Sequence, residues 1–343
     1  MPGPEIDVLR RILTEPERLT ALSWPRVFAE LPPARLARFS RWLRFLGDGE
    51  HLARVRSDTF RSMAGRIART AVTRQPEIVV EKRHKGTAVK FGVFEKAVSR
   101  FALDLYKADG FVHEPQVVRY LHDALDGRSL FVDVGAHFGY FSCLAAARGA
   151  TVLAVELQRT LCQNIEANIV LNDFWRIHTI CAAIGPAPGI TQVERMDPTP
   201  GKQVSSRQYE TSIAPMHSQN HEIVPVVTVD SLIGDARIGG ATGDGFAQTI
   251  VKLDIEGAEV LALRGAGRTI AAGAAIFVVE IHLSEVGKFG GSLEEILDSF
   301  PVDGWRMILM DETECELDRD ALTAASHKWG GADSNLCVRF EPR

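Results

Sequence analysis

The 343-residue chain predicts an α/β protein, a Rossmann-like and mostly parallel sheet with helices on both faces, preceded by a helical N-terminal module. Three observations carry this expectation. From Leu130 onward, apolar strand-like runs alternate with helical patterns; two glycines, Gly135 and Gly139, mark the first strand-to-helix turn; and the first 75 residues differ in charge from the rest. That opening stretch holds fourteen Arg, no Lys and eight Asp/Glu in a chain whose net charge is −5, so the remainder is clearly acidic.

Taken in order, residues 1–75 repeat apolar side chains at helical spacing (Leu36, Phe39, Leu43; Leu52, Val55), with Pro25 and Pro32-Pro33 at helix starts and breaks. Residues 76–128 lead into the core. Within them Glu77–Val80 and Ala88–Phe94 flank His84-Lys85-Gly86-Thr87, a hairpin signal, and helical periodicity returns at Glu95–Tyr106 and Pro115–Leu125. Residues 129–343 form the main domain, whose strands are expected at Leu130–Val134, Thr151–Val155, His178–Ala182, Thr249–Leu253 and Ala275–Ile281. The helices fall at Tyr140–Arg148, Arg159–Leu171, Ala258–Ala271 and Leu293–Phe300, and Trp305–Met310 and Leu336–Phe340 read as two last strands. A polar insertion rich in Pro, Gly, Ser and Gln, residues 196–221, interrupts the alternation and is expected to cover the acceptor site.

The overall charge is too mild to name a partner, and no apolar run reaches the length of a membrane span. Five cysteines without a CxxC pair, no glycosylation sequon and acids near the N-terminus lead to the expectation of a cytoplasmic protein with reduced thiols. Nucleic acid is disfavoured by the acidic balance and the lack of an aromatic-interleaved basic stripe. The N-terminal arginines are read as a cap on the acidic domain, with a docking surface for an acidic partner or a phosphorylated substrate as the sharper alternative and a homo-oligomer contact through the same helices as a further one.

The chemistry is expected at Val132-Asp133-Val134-Gly135-Ala136-His137-Phe138-Gly139, which ends a strand and opens a helix. In doubly wound sheets such a turn lies on the ligand-binding rim, where glycines admit a close approach and helix N–H groups are unpaired. The spacing is G-x-x-x-G, not that of dinucleotide binders, so a Rossmann oxidoreductase is disfavoured. Asp133 would repel a pyrophosphate and attract an ammonium and a sulfonium, while Glu156, ending the next strand, suits the paired hydroxyls of a ribose. Together these form the pattern of an S-adenosylmethionine site.

At this point the chain resembles the FkbM-type S-adenosylmethionine-dependent methyltransferases. The resemblance is carried by Asp109-Gly110-Phe111-Val112-His113-Glu114-Pro115, the Gly135 turn, Val229-Asp230-Ser231-Leu232 and, above all, Val251-Lys252-Leu253-Asp254-Ile255-Glu256-Gly257-Ala258-Glu259. It implies a seven-stranded methyltransferase sheet and methylation of a hydroxyl on a sugar or secondary metabolite. Cofactor contacts are expected at Glu114, Asp133, Gly135, Ala136, His137, Gly139, Glu156, Ala182 and Asp254. Asp254 and Glu256 stand on one face if the strand continues that far, and they could orient the cofactor or accept the hydroxyl proton. Glu256 also reads as a helix cap, and Glu259 as a first-turn acid. His282, paired in alternation with Glu280, is the candidate general base, with the loop histidines His217 and His221 behind it. Asp254 and Glu280 offer two oxygens to Mg²⁺, a weak signal without a third ligand. A non-catalytic interaction module acting through the basic N-terminal helices is the alternative function.

Overall fold

The computed structural model describes residues 76, 78–93, 112–194, 221–234, 245–311, 314–328 and 335–343. The chain divides into two units, 1–74 and 75–343, and the described residues belong to the second. The predicted N-terminal helices, the helix at Glu95–Tyr106 and the body of the polar insertion, His217 included, lie outside the described residues.

The chain enters through a hairpin, β1 (Ile78–His84) and β2 (Thr87–Val93), with Lys85 and Gly86 at φ 42 and 85. Two consecutive positive φ angles make the two-residue turn that suits the twist of paired strands. Helix α1 (Pro115–Ala124) follows, then β3 (Ser129–Val134), α2 (Tyr140–Ala147), β4 (Thr151–Glu156), α3 (Arg159–Asn172) and β5 (Ile177–Cys181). Next come three short strands, β6 (Ala183–Ile184), β7 (Gly189–Glu194) and β8 (His221–Val227), and helix α4 (Val229–Gly234). The second half runs β9 (Gln248–Leu253), α5 (Glu259–Arg264), α6 (Gly267–Ala271), β10 (Ile276–His282), α7 (Leu293–Asp298), β11 (Trp305–Leu309), β12 (Cys315–Glu316), α8 (Arg319–Lys328) and β13 (Asn335–Pro342).

The main sheet has the order β12-β11-β13-β10-β9-β3-β4-β5. Strands β5, β4, β3, β9 and β10 are parallel, while β13 inserts antiparallel between β10 and β11. The seven expected strands are therefore present, and the eighth is a two-residue edge. Strand order reverses between β3 and β9, which opens a crevice at their carboxyl ends.

Alternation along the strands builds a core on each face. Leu130, Val132 and Val134 pack with Val251 and Leu253 against Val229, Leu232, Val260 and Leu263. Phe131, Ile250 and Val278 face the other way, against Val117 and Leu121 of α1, Phe141 of α2 and Ile165 and Ile169 of α3. Strands β3 and β4 are buried along their whole length and β9 and β10 along most of it, so their sequences are apolar with few interruptions, whereas the edge strand β5 buries only Ile177.

The structure differs from the sequence expectation in two places. The helix expected at Ala258–Ala271 is two, α5 and α6, broken at Gly265, where a Cβ would lie 2.2 Å from the Gly185 carbonyl oxygen. The flanks of the polar insertion are paired strands, β7 antiparallel to β8, with β6 parallel to β8 on its other side. Pro225 interrupts the strand signal there. It is tolerated because β6 pairs only with Val226 and Val227, leaving no ladder bond to lose at Pro225 on that side. Among the described residues, no helix is long and apolar enough to cross a membrane.

Candidate active site

The crevice is lined first by the turn after β3. Gly135 and Ala136 both donate backbone N–H bonds to the Val155 carbonyl, at 3.0 and 3.1 Å, and Gly139 closes the turn onto Ala136 at 2.7 Å. Gly135 (φ 82) is required for a reason the sequence does not reveal. A Cβ there would stand 1.9 Å from the Asp254 carbonyl oxygen, so the glycine lets the β3 and β9 turns touch across the crevice floor. At Gly139 (φ 77) a Cβ would press on Ile165 of α3 at 3.2 Å.

Glu156 ends β4 beside this turn. Its Oε2 accepts the His137 N–H at 2.9 Å and its Oε1 the Gln158 N–H at 2.8 Å, while the Ala182 N–H binds its backbone carbonyl at 3.1 Å. The carboxylate is thus aimed by the backbone, with its remaining acceptor capacity left for a ligand. Burial pushes its pKa up from 4.5 to about 7, although those N–H groups oppose the shift. Burial likewise pushes His137, in the same turn at φ 51, down to about 4, so its imidazole is neutral.

Raised carboxyl pKa values carry a sign. Between about pH 4.5 and 7 the folded protein holds a proton on Glu156 that the unfolded chain releases, so this group favours the fold below that window and less so as pH rises through it. We expect the melting temperature of Glu156→Gln to fall less steeply from pH 5 to pH 7 than that of the parent. Parallel melting curves over that range would mean that the carboxyl is not held in this way.

Asp133 is only 1% exposed, and its Oδ2 accepts a hydrogen bond from the Ser142 hydroxyl at 2.5 Å. Burial raises it to about 6 against the pull of Lys252 and Ser142. Its register partner on β9 is Lys252, a buried ammonium. Lys252 Nζ lies 2.7 Å from Asp254 Oδ2, 3.9 Å from Glu114 Oε2 and 4.5 Å from the centre of the Phe141 ring. Burial would lower its pKa, but Asp254, Glu114, Glu280 and Asp133 hold it well above the usual lysine value. Glu114 binds His113 Nε2 through Oε1 at 2.9 Å, and its buried Oε2 has no hydrogen-bond partner.

The second wall is the turn after β9. The strand stops at Leu253, so Asp254 and Glu256 do not share a strand face; Glu256 adopts φ 54 and Gly257 φ 99. Both acids nevertheless converge on His282 at the end of β10. Its Nε2 is 3.8 Å from Asp254 Oδ1 and 3.2 Å from Glu256 Oε2, and its Nδ1 is 2.9 Å from Glu259 Oε1. Glu259 is fully buried, and the same oxygen accepts the Ile255 and Gly257 N–H groups at 3.2 and 3.1 Å. It therefore fastens the β9 turn to the histidine, beyond the first-turn role expected of it.

Burial alone would depress His282, but Glu259, Asp254 and Glu256 outweigh it and raise the pKa to about 10. The three acids thereby favour the charged imidazolium over the free base that the expected general-base role of His282 would use. Asp254 sits below the usual carboxylate value, since Lys252 and His282 together overcome the effect of burial. Glu280 is pushed the other way, to about 8, by burial and by Asp254 and Glu114; its Oε1 accepts the Asn335 amide at 2.8 Å. Of the loop histidines, His221 is the first residue of β8.

The description "Methyltransferase FkbM domain" matches residues 133–309, just over half of the chain. No curated protein matches the chain. Among solved structures, methyltransferase FkbM from Methylobacillus flagellatus KT is 16% identical, with a TM-score of 0.34, over 73% of this chain and 63% of that one. An rRNA methylase from Streptococcus thermophilus is 11% identical at TM-score 0.36, over 66% and 93% of the two chains. TYW2 from M. jannaschii, in complex with AdoMet, is 11% identical at TM-score 0.35, over 79% and 89%. With the matched segment spanning the Gly135 turn, the Asp254–Glu259 motif and His282, the chain belongs to the FkbM methyltransferase family.

Proposed function

We propose that this methyltransferase moves the methyl group of S-adenosylmethionine to a hydroxyl oxygen of a small molecule, a sugar or a secondary metabolite. The observation that carries the reading is Glu156. Its carboxylate, oriented by backbone N–H groups at the carboxyl end of β4, is placed to accept vicinal ribose hydroxyls. Glu114 supports it, because a buried Oε2 without a hydrogen-bond partner is an acceptor for an ammonium.

When bound, S-adenosylmethionine supplies an electrophilic methyl on a sulfonium. This chain holds the two reactants in line, and positioning is the larger part of the rate gain for such a displacement. Gly135 and Ala136 set the floor, with the Lys252–Asp254 ion pair beside it. Glu256 is the rim acid most open to an acceptor, its side chain 43% exposed against 22% for Asp254, and it takes the hydroxyl proton. His282 orients Asp254 and Glu256 as a positioning residue. The acceptor in this reading is a hydroxyl compound of the cytoplasm.

Calorimetric titration with S-adenosylmethionine and S-adenosylhomocysteine tests the reading. Loss of the Glu156 carboxylate in Glu156→Ala should weaken binding by roughly 10- to 100-fold, the cost of about 1–3 kcal/mol for hydrogen bonds left unmade. Parental affinity in a folded Glu156→Ala protein would place the cofactor elsewhere.

A further inference from the structure

We propose that Asp254, Glu280 and His282 bind one divalent transition-metal cation on the crevice rim, and that the acceptor is a hydroxyl compound with a second oxygen on the adjacent carbon. One ligand atom from each of the three lies within 4.8 Å of the others. The donor set is an imidazole nitrogen with two carboxylate oxygens, each of which gives up to solvent any proton it holds as the cation binds. Such a set suits Mn²⁺, Fe²⁺, Co²⁺ or Zn²⁺, whereas Mg²⁺ prefers oxygen alone and keeps its waters. The two-oxygen site expected from sequence thereby gains its third ligand and changes its preferred metal.

His282 Nδ1 is engaged by Glu259 Oε1 at 2.9 Å, and two backbone N–H groups fix that carboxylate in turn. A buried carboxylate on the far nitrogen is the usual outer support of a metal-binding histidine, since it sets the tautomer and aims Nε2 outward. Asp254 is anchored through Oδ2 by Lys252 at 2.7 Å, leaving Oδ1 toward His282. Glu280 is anchored through Oε1 by Asn335 at 2.8 Å. Each ligand is thus fastened at one atom and offers another.

Three protein ligands leave about three positions of an octahedron, enough for two oxygens of one acceptor, as in a vicinal diol or an α-hydroxy acid. This use of the cation rests on the methyl-transfer reading; its binding does not. In the transfer, the acceptor O–H bond breaks and its proton passes to Glu256. The O–CH₃ bond then forms as the S–CH₃ bond breaks, leaving S-adenosylhomocysteine, and the cation keeps its oxidation state.

The full chain, stripped with EDTA and dialysed, would be titrated with Mn²⁺ and read by electron paramagnetic resonance, with S-adenosylmethionine calorimetry on the same sample. One Mn²⁺ per chain is expected, at least tenfold tighter than Mg²⁺, and at least tenfold weaker in His282→Ala and in Glu280→Gln. Glu280→Gln is nearly isosteric and keeps the fold testable if His282→Ala melts. No Mn²⁺, Co²⁺ or Zn²⁺ binding by protein that binds S-adenosylmethionine would overturn the proposal, as would Mg²⁺ binding as tightly as Mn²⁺ or Glu280→Gln binding like the parent. Mn²⁺ binding without S-adenosylmethionine binding would support the cation site and remove the cofactor reading instead.

Discussion

Gly135→Ala is expected to destabilise the folded unit severely, by about 3–5 kcal/mol, summing the strain of a positive φ and the overpacking of a closed contact. The added carbon would stand 1.9 Å from the Asp254 carbonyl oxygen and 2.9 Å from its carbonyl carbon, backbone atoms that cannot rotate away. Relief requires the β3 and β9 turns to part, and that breaks the Asp254 N–H bond to the Val134 carbonyl at 3.1 Å. Thermal and urea melts would read the loss, with Gly267→Ala as control. Gly267 opens α6, and a Cβ there would meet nothing within 4 Å, so alanine should be neutral or mildly stabilising. A Gly135→Ala protein that melts with the parent would contradict this packing.

Lys252→Met is the second large effect. The ammonium is buried among Asp133, Asp254 and Glu114 and lies over the Phe141 ring. Removing one member of a buried charge network strands the others, and a loss of about 3–5 kcal/mol at neutral pH is expected. The pH dependence has a definite sign. Without Lys252, Asp133, already raised to about 6, and Asp254 would take protons more readily in the folded state than in the unfolded chain. The deficit of the variant should therefore shrink as pH falls from 7.5 toward 5. A deficit that is constant with pH would assign the loss to packing of the lysine stem instead.

These two positions show how far residues alone reach. That Gly135 must be glycine is legible from its place between a strand and a helix; its physical reason is a carbonyl 119 positions away, visible only once β3 and β9 are neighbours. Lys252 carried a usable signal, a charged residue inside the apolar run Ile250-Val251-Lys252-Leu253, which is costly unless partnered. Continuous apolar runs mark β3, β4, β9 and β10, because burial on both faces demands them. The same rule failed at β7 and β8, where one face is open and Ile190 and Ile223 are exposed amid polar neighbours and Pro225. Glu259 read as a first-turn helix acid because its defining partner, His282, belongs to another strand.

The crystal structure of this chain with S-adenosylhomocysteine tests the central claim most directly. The ribose hydroxyls are expected on Glu156, the amino group at Glu114 Oε2, and the sulfur facing the rim formed by Asp254, Glu256 and His282. Density for the ligand away from the Gly135 turn, or a ribose that makes no contact with Glu156, would contradict it.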